Sequence, residues 1–192
     1  MIIQKLIKAG QSKERILSEL TLDEWDWTNH IGVMRNTLAE QQKYKNKYGQ
    51  SPEESERQHK EGANAEYAFA KYKDIYWDGD LGGDRHAGDV GGYEVRAATH
   101  ELSSLILHTD DKPHRPYILV TGYAPYLFIR GWIWARQGML PRFWCDPQGT
   151  RRPAFFFPQA WLHPMVELPI LPQSSKRNTI DSMQDFLAKG QE

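Results

Sequence analysis

Apolar and polar positions in the first fifty residues follow a helical rather than an alternating order. They predict helices over 2–9, over 12–20 and from 22 towards 48, with Gly10 between the first two. Thr21 followed by Glu24 forms a capping-box pattern at the start of the third. Short helix, glycine turn, helix and a longer amphipathic helix is also the outline of a helix-turn-helix module, with Lys13, Arg15 and Arg35 as its exposed nucleic-acid contacts. Ordinary helical bundles share that outline.

A boundary is expected near residue 50. The stretch 41–57 is polar, with Tyr44 and Tyr48 its large apolar groups, and reads as a connector. Ser51-Pro52-Glu53-Glu54 then starts a helix: a serine cap, proline at the first helical position, and acids where the helix dipole favours them. Residues 62–73 are alanine-rich and helical, suited to close packing on a sheet. Glycine and aspartate mark turns over 78–92. Strands are expected over 93–98, 105–108, 117–122, 127–135 and 154–157. The proline-bearing stretch 158–172 is expected to wrap the surface, and 180–189 to form a last helix.

The order helix, then several strands, predicts an α+β (α/β) fold with a mixed central sheet flanked by helices. Three regions are expected: an N-terminal helical region over 1–50, a main sheet domain over 51–172 and a C-terminal tail with a short helix over 173–192. Composition fits a folded globular chain of 192 residues, 40% hydrophobic and 12% aromatic. A net charge of −1 gives no global nucleic-acid signature, although an acidic site can cancel a local basic face. The single cysteine, Cys145, excludes an intrachain disulfide and a cysteine-rich zinc site and suits a reducing, cytoplasmic setting. No apolar run is long enough to span a bilayer, and residues 1–10 lack the features of a signal peptide.

The chemistry concentrates in Gly88-Asp89-Val90-Gly91-Gly92-Tyr93-Glu94-Val95-Arg96. Gly91-Gly92 suits a two-residue type I′ turn closed by Val90 and Tyr93, a register that sets Asp89 directly opposite Glu94. Opposed carboxylates at that range destabilise a sheet unless something positive lies between them. Strand alternation puts Arg96 on the face of Glu94, with Tyr93, Val95 and Ala97 on the other. Glu66, spaced helically with Ala63, Phe69 and Ala70, falls in the apolar stripe of its helix. There a carboxylate needs a metal, a partner, or backbone amides in the first turn. Hard oxygen ligands of this kind suit Mg²⁺ or Mn²⁺.

Glu on an early helix, then Asp, then Glu-Val-Arg on the next strand resembles the acidic motif of the PD-(D/E)XK nuclease superfamily, the restriction-endonuclease-like fold. With the approach from His59 to Glu66 and the later Gly-Trp-Ile strand, residues 60–160 are similar to small, mostly phage-encoded members. The resemblance implies metal ligation by Asp89, Glu94 and the carbonyl of Val95, with Glu66 as an auxiliary acid. It implies a Mg²⁺- or Mn²⁺-dependent deoxyribonuclease that hydrolyses phosphodiesters of double- or single-stranded DNA. Such an enzyme would act in the cytoplasm, that of a host cell if phage-encoded, and a homodimer would be compatible with it. Arg96 stands where the family usually has lysine, and a guanidinium cannot serve as a base at neutral pH. The alternatives are a catalytically inactive module that binds DNA or a protein partner, and a structural protein that oligomerises through the fold's surface.

His100, His108, His114 and His163 lack zinc-ligand spacing and read as surface or satisfied histidines, while His86 lies near the acidic motif. Asp110 and Asp111 read as turn residues. Trp132 and Trp134 share a strand face, with Arg130 aligned to them by the period of two, and read as a core stripe. Arg130, Arg151 and Arg152 are also candidate phosphate contacts, as are Lys176 and Arg177; such groups are commonly just solvated surface.

Overall fold

The computed structural model describes residues 3–5, 14–42, 51–81, 88–147, 149 and 152–171. Its fold is α+β. Of two long helices, α1 (Leu22–Gln41) and α2 (Pro52–Lys73), α2 lies on one face of a five-stranded sheet and α1 packs on α2. The strands are β1 (Ile3–Lys5), β2 (Glu14–Glu19), β3 (Glu94–Ala98), β5 (Pro116–Tyr123) and β6 (Tyr126–Trp134), in the order β1-β2-β6-β5-β3. β3 runs parallel to β5 and the other neighbours are antiparallel, so the sheet is mixed. A second sheet of β4 (Leu105–Leu107), β8 (Ala154–Phe157) and β7 (Trp144–Cys145) contributes to the core on the opposite face.

Both helices start as their sequence dictates. Thr21 and Ser51 accept amide hydrogens from Glu24 and Glu54, whose carboxylates reach back to the cap amides. The alanines of α2 do what small residues allow: Ala63, Ala65, Ala68 and Ala70 are almost wholly buried against Ile16, Val95, Ile118, Val120 and Ile129 of the sheet. Strand alternation then sends Tyr117, Leu119 and Ile133 to the other side, onto Leu105, Leu107 and Phe157.

The N-terminal segment corrects the sequence reading. Residues 14–19 form a strand, not a helix, and β2 pairs with β6 through Ile16↔Ile129 to Glu19↔Tyr126. The helix-turn-helix outline is therefore absent from the described residues, since its first two elements are strands of the main sheet. Ile16, Ser18 and Leu20 alternate into the helix-facing core, and Ser18 meets its burial by donating its hydroxyl to the carbonyl of Ala68 at 3.0 Å. Side-chain entropy and propensity favour helix in this stretch only weakly; pairing with β6 decides otherwise.

A bulge in β6, where the register with β5 shifts between Leu119 and Val120, corrects a second expectation. It breaks the period of two at Gly131, so Trp132 and Trp134 pack on the helix side while Arg130 turns to the opposite face and bonds Thr121. The C-terminal stretch follows the surface as expected and is anchored by Tyr93, whose hydroxyl donates to the carbonyl of Pro169 at 2.7 Å and accepts from the amide of Leu171 at 3.2 Å. Lys13, His86, Arg151, Lys176, Arg177 and the helix expected over 180–189 lie outside the described residues.

Candidate functional site

The acidic motif sits at the N-terminal end of β3, the edge strand of the main sheet. Gly91 and Gly92 have φ of 55° and 91°, the positive values that a type I′ turn requires at both central positions, and Val90 pairs with Tyr93 across it. The register beyond the turn differs from the regular hairpin. The amides of Asp89 and Val90 both donate to the carbonyl of Tyr93, at 2.8 and 3.2 Å, so two residues oppose one. Asp89 is thereby displaced from its place across from Glu94, and its Oδ2 accepts the amide of Val95 at 2.7 Å.

That hydrogen bond orients the edge. The N–H and C=O of one strand residue point to the same side, so the carbonyl of Val95 also faces away from β5, towards Asp89. Glu94 and Arg96 project from β3 on the face opposite the helices, where the Arg96 guanidinium lies 4.9 Å from the ring centre of Tyr117. Tyr93 and Val95 enter the core, as alternation requires, whereas Ala97 is exposed.

Each of the other charged groups has a partner that sequence reasoning did not find. Glu66, buried on α2, is held bidentately by Arg35 of α1 at 2.7 Å to each oxygen, and Oε2 also accepts the indole N–H of Trp77 at 3.1 Å. Arg35 further donates Nε to the carbonyl of Asp80 at 2.7 Å. It is thus a largely buried structural cation rather than an exposed nucleic-acid contact. Glu94 pairs with Arg115, and Arg96 with Asp111 at 2.7 Å. Asp111 keeps its expected turn role as well, accepting the amide of His108 at 2.9 Å. These partners lie 31, 21 and 15 positions away along the chain, beyond any local sequence signal.

The electrostatics single out Asp89. Burial first, then the charge of Glu66, push its carboxyl up to about 6 against the opposing pull of the Val95 amide, Arg96 and Arg35. Glu94 is also raised, by burial and then by Asp89, with Arg115 and Arg96 opposing. Arg96 is buried, which disfavours its charge, but Asp111, Tyr117 and Asp89 more than offset that and raise its pKa. Glu66 thus raises Asp89, and Asp89 in turn raises Glu94, so negative charge accumulates around Asp89.

No group of three or more carboxylate, imidazole or thiol ligands stands together among the described residues. Of the three expected acids, Glu66 influences Asp89 electrostatically, and Arg35 engages both of its oxygens. The oxygen donors left at this end of β3 are Asp89, Glu94, which also pairs with Arg115, and the Val95 carbonyl. Mg²⁺ takes one or two carboxylates while keeping several waters.

Among the remaining candidates, Arg15 lies over Phe128 with its guanidinium 3.9 Å from the ring centre, Arg130 is buried, and Arg152 is exposed with its amide on Asp146 at 3.3 Å. His163 packs on Trp132 with ring centres 4.9 Å apart, and His100 accepts the amide of Leu102 at 3.2 Å. No helix of the described residues is long and apolar enough to cross a membrane. Comparison of the chain with protein-family models, with curated proteins and with solved structures finds no match.

Proposed function

We propose that the protein is a metal-dependent deoxyribonuclease of the PD-(D/E)XK type, acting in the cytoplasm, which is a host cell's if the chain is phage-encoded. The observation that supports the reading is Asp89 held on the edge strand β3 by the amide of Val95, near enough to Glu94 for its charge to raise that carboxyl. Asp89, Glu94 and the Val95 carbonyl would hold Mg²⁺ or Mn²⁺. When bound, such an ion supplies Lewis acidity and lowers the pKa of a water.

The protein's own residues do the rest. Arg96, anchored on Asp111, presents a permanently charged planar donor on the face of Glu94, suited to orienting a phosphodiester oxygen but not to taking a proton. Arg115 balances Glu94 and keeps two adjacent carboxylates compatible with folding. Glu66, fixed by Arg35 and Trp77, adds negative potential behind Asp89 and strengthens its attraction for a cation.

Incubation of linear, nicked and single-stranded DNA with purified protein and Mg²⁺ or Mn²⁺ tests the activity. Cleavage abolished by chelator and by Asp89→Asn is expected, and equal behaviour of variant and wild type would overturn it.

A second reading has its own support. Arg35 on Glu66, Arg115 on Glu94 and an arginine in the usual lysine place also describe a nuclease scaffold whose acids are neutralised by protein cations. Such a module would bind DNA or a protein partner without cutting. DNA binding that is steep in salt, indifferent to chelator and unaccompanied by cleavage would favour it.

A further inference from the structure

Away from the acidic motif, on the same face of the sheet, two arginines of neighbouring strands meet one carboxylate. Arg15 of β2 and Arg130 of β6 flank Phe128, with guanidinium carbons 3.9 and 5.3 Å from its ring centre. Both reach the same oxygen of Glu101, Oε1, at 3.0 Å from Arg15 and 3.4 Å from Arg130. Two cations therefore share half of one carboxylate.

The cations are poorly served by it. Arg130 is 6% exposed; its Nε donates to Thr121 Oγ1 at 2.6 Å, but its buried Nη2 has only the long 3.4 Å approach of Glu101 Oε1, without the geometry of a good hydrogen bond. Nε of Arg15 is buried and unpartnered among the described residues. A buried donor without a well-made hydrogen bond is destabilising. Burial also depresses the Arg130 guanidinium, which Glu101 opposes and Arg15 reinforces. Glu101, by contrast, has a side chain 53% exposed on the connection between β3 and β4, where Gln159 holds only its backbone carbonyl, at 3.0 Å. The carboxylate can swing out to water at little cost, and the arginines cannot.

We infer that Arg15 and Arg130 form a phosphate-binding site for the DNA backbone, in which Glu101 occupies the ligand's place until a phosphodiester displaces it. A phosphodiester offers two non-bridging oxygens to the pair, where Glu101 engages them through one, and guanidinium–phosphate pairs gain from such bidentate contact. The inference rests on the nuclease reading for the identity of the polymer, and the site itself contains none of the residues proposed to hold the metal.

The test is fluorescence anisotropy of labelled single- and double-stranded DNA in EDTA across a salt series, with inorganic phosphate as a separate probe and competitor. Glu101→Gln removes the competing charge from an exposed position and is expected to tighten DNA binding about fivefold, the upper range for an exposed ion pair. Arg15→Gln is expected to weaken binding and to lower the slope of log K against log salt by about 1, one phosphate contact. Thermal melting of both variants within a few degrees of wild type serves as the folding check. Unchanged affinity in Glu101→Gln, no DNA binding by either wild type or that variant, or binding of free phosphate without DNA would each overturn the inference. All binding is measured without divalent ions, so failure of cleavage leaves this result untouched.

Discussion

Arg35 and Glu66 face each other across the α1–α2 contact with two parallel 2.7 Å hydrogen bonds, in a pocket roofed by Trp77. This pair fixes the helix layer behind the acidic motif. Removing one member leaves the other charged and buried, which costs about 3–5 kcal/mol. Urea unfolding is expected to show a loss of that order for Arg35→Met and for Glu66→Met, and a smaller loss for the double variant than the two singles sum to. Additive losses would deny the coupling.

Helix packing makes a prediction against propensity. Gly32 of α1 lies over α2 so closely that an added Cβ would stand 2.5 Å from the Cα of Lys60. Alanine is the better helix former by about 1 kcal/mol, yet Gly32→Ala is expected to destabilise by about 1–3 kcal/mol because the two backbones must separate. A raised melting temperature in that variant would contradict the close crossing.

The pH dependence of stability follows from Asp89. Its carboxyl titrates near 6 in the folded chain against an ordinary value of 3.8, so between those values the folded state holds more protons than the unfolded. Stability from this group is therefore present at low pH and declines as pH rises through that window. Asp89→Asn keeps an acceptor for the Val95 amide and loses the titration. In chelator, the variant's stability relative to wild type is expected to increase from pH 4 to pH 7.5, by roughly 1–2 kcal/mol once partial exposure of the side chain is allowed for. A gap that stays constant or narrows would show that the carboxyl is not raised.

Much of this arrangement could be read before any coordinates, and what escaped did so for identifiable reasons. The helix starts at Thr21 and Ser51 and the Gly91-Gly92 turn are local signals, carried by residues within four positions of each other. The strand at 14–19 escaped because Ser18, a polar residue, takes a core position and hides the alternation of Ile16 and Leu20. Asp89 was picked out, but its contact was assigned to Glu94, since nothing in the sequence announces the two-against-one register at Tyr93. Arg35, Arg115 and Asp111 could not be matched to Glu66, Glu94 and Arg96 because tertiary approach alone brings those pairs together.

Arg96 is the residue at which ion binding and cleavage are predicted to separate. Its guanidinium is held by Asp111 and is not among the groups that would ligate a metal. Arg96→Gln is expected to reduce DNA cleavage at least about tenfold, the loss of one charge-assisted phosphate contact, while divalent-ion affinity stays within about twofold of wild type. Loss of both together would move Arg96 into a purely structural role.

Calorimetric titration of Mn²⁺ into the purified protein at pH 7.5 bears most directly on the proposed metal site of Asp89 and Glu94 at the edge of β3. One ion per chain is predicted, with binding lost in Asp89→Asn and weakened in Glu94→Gln. No heat of binding in the wild type, or undiminished binding in Asp89→Asn, would contradict the account.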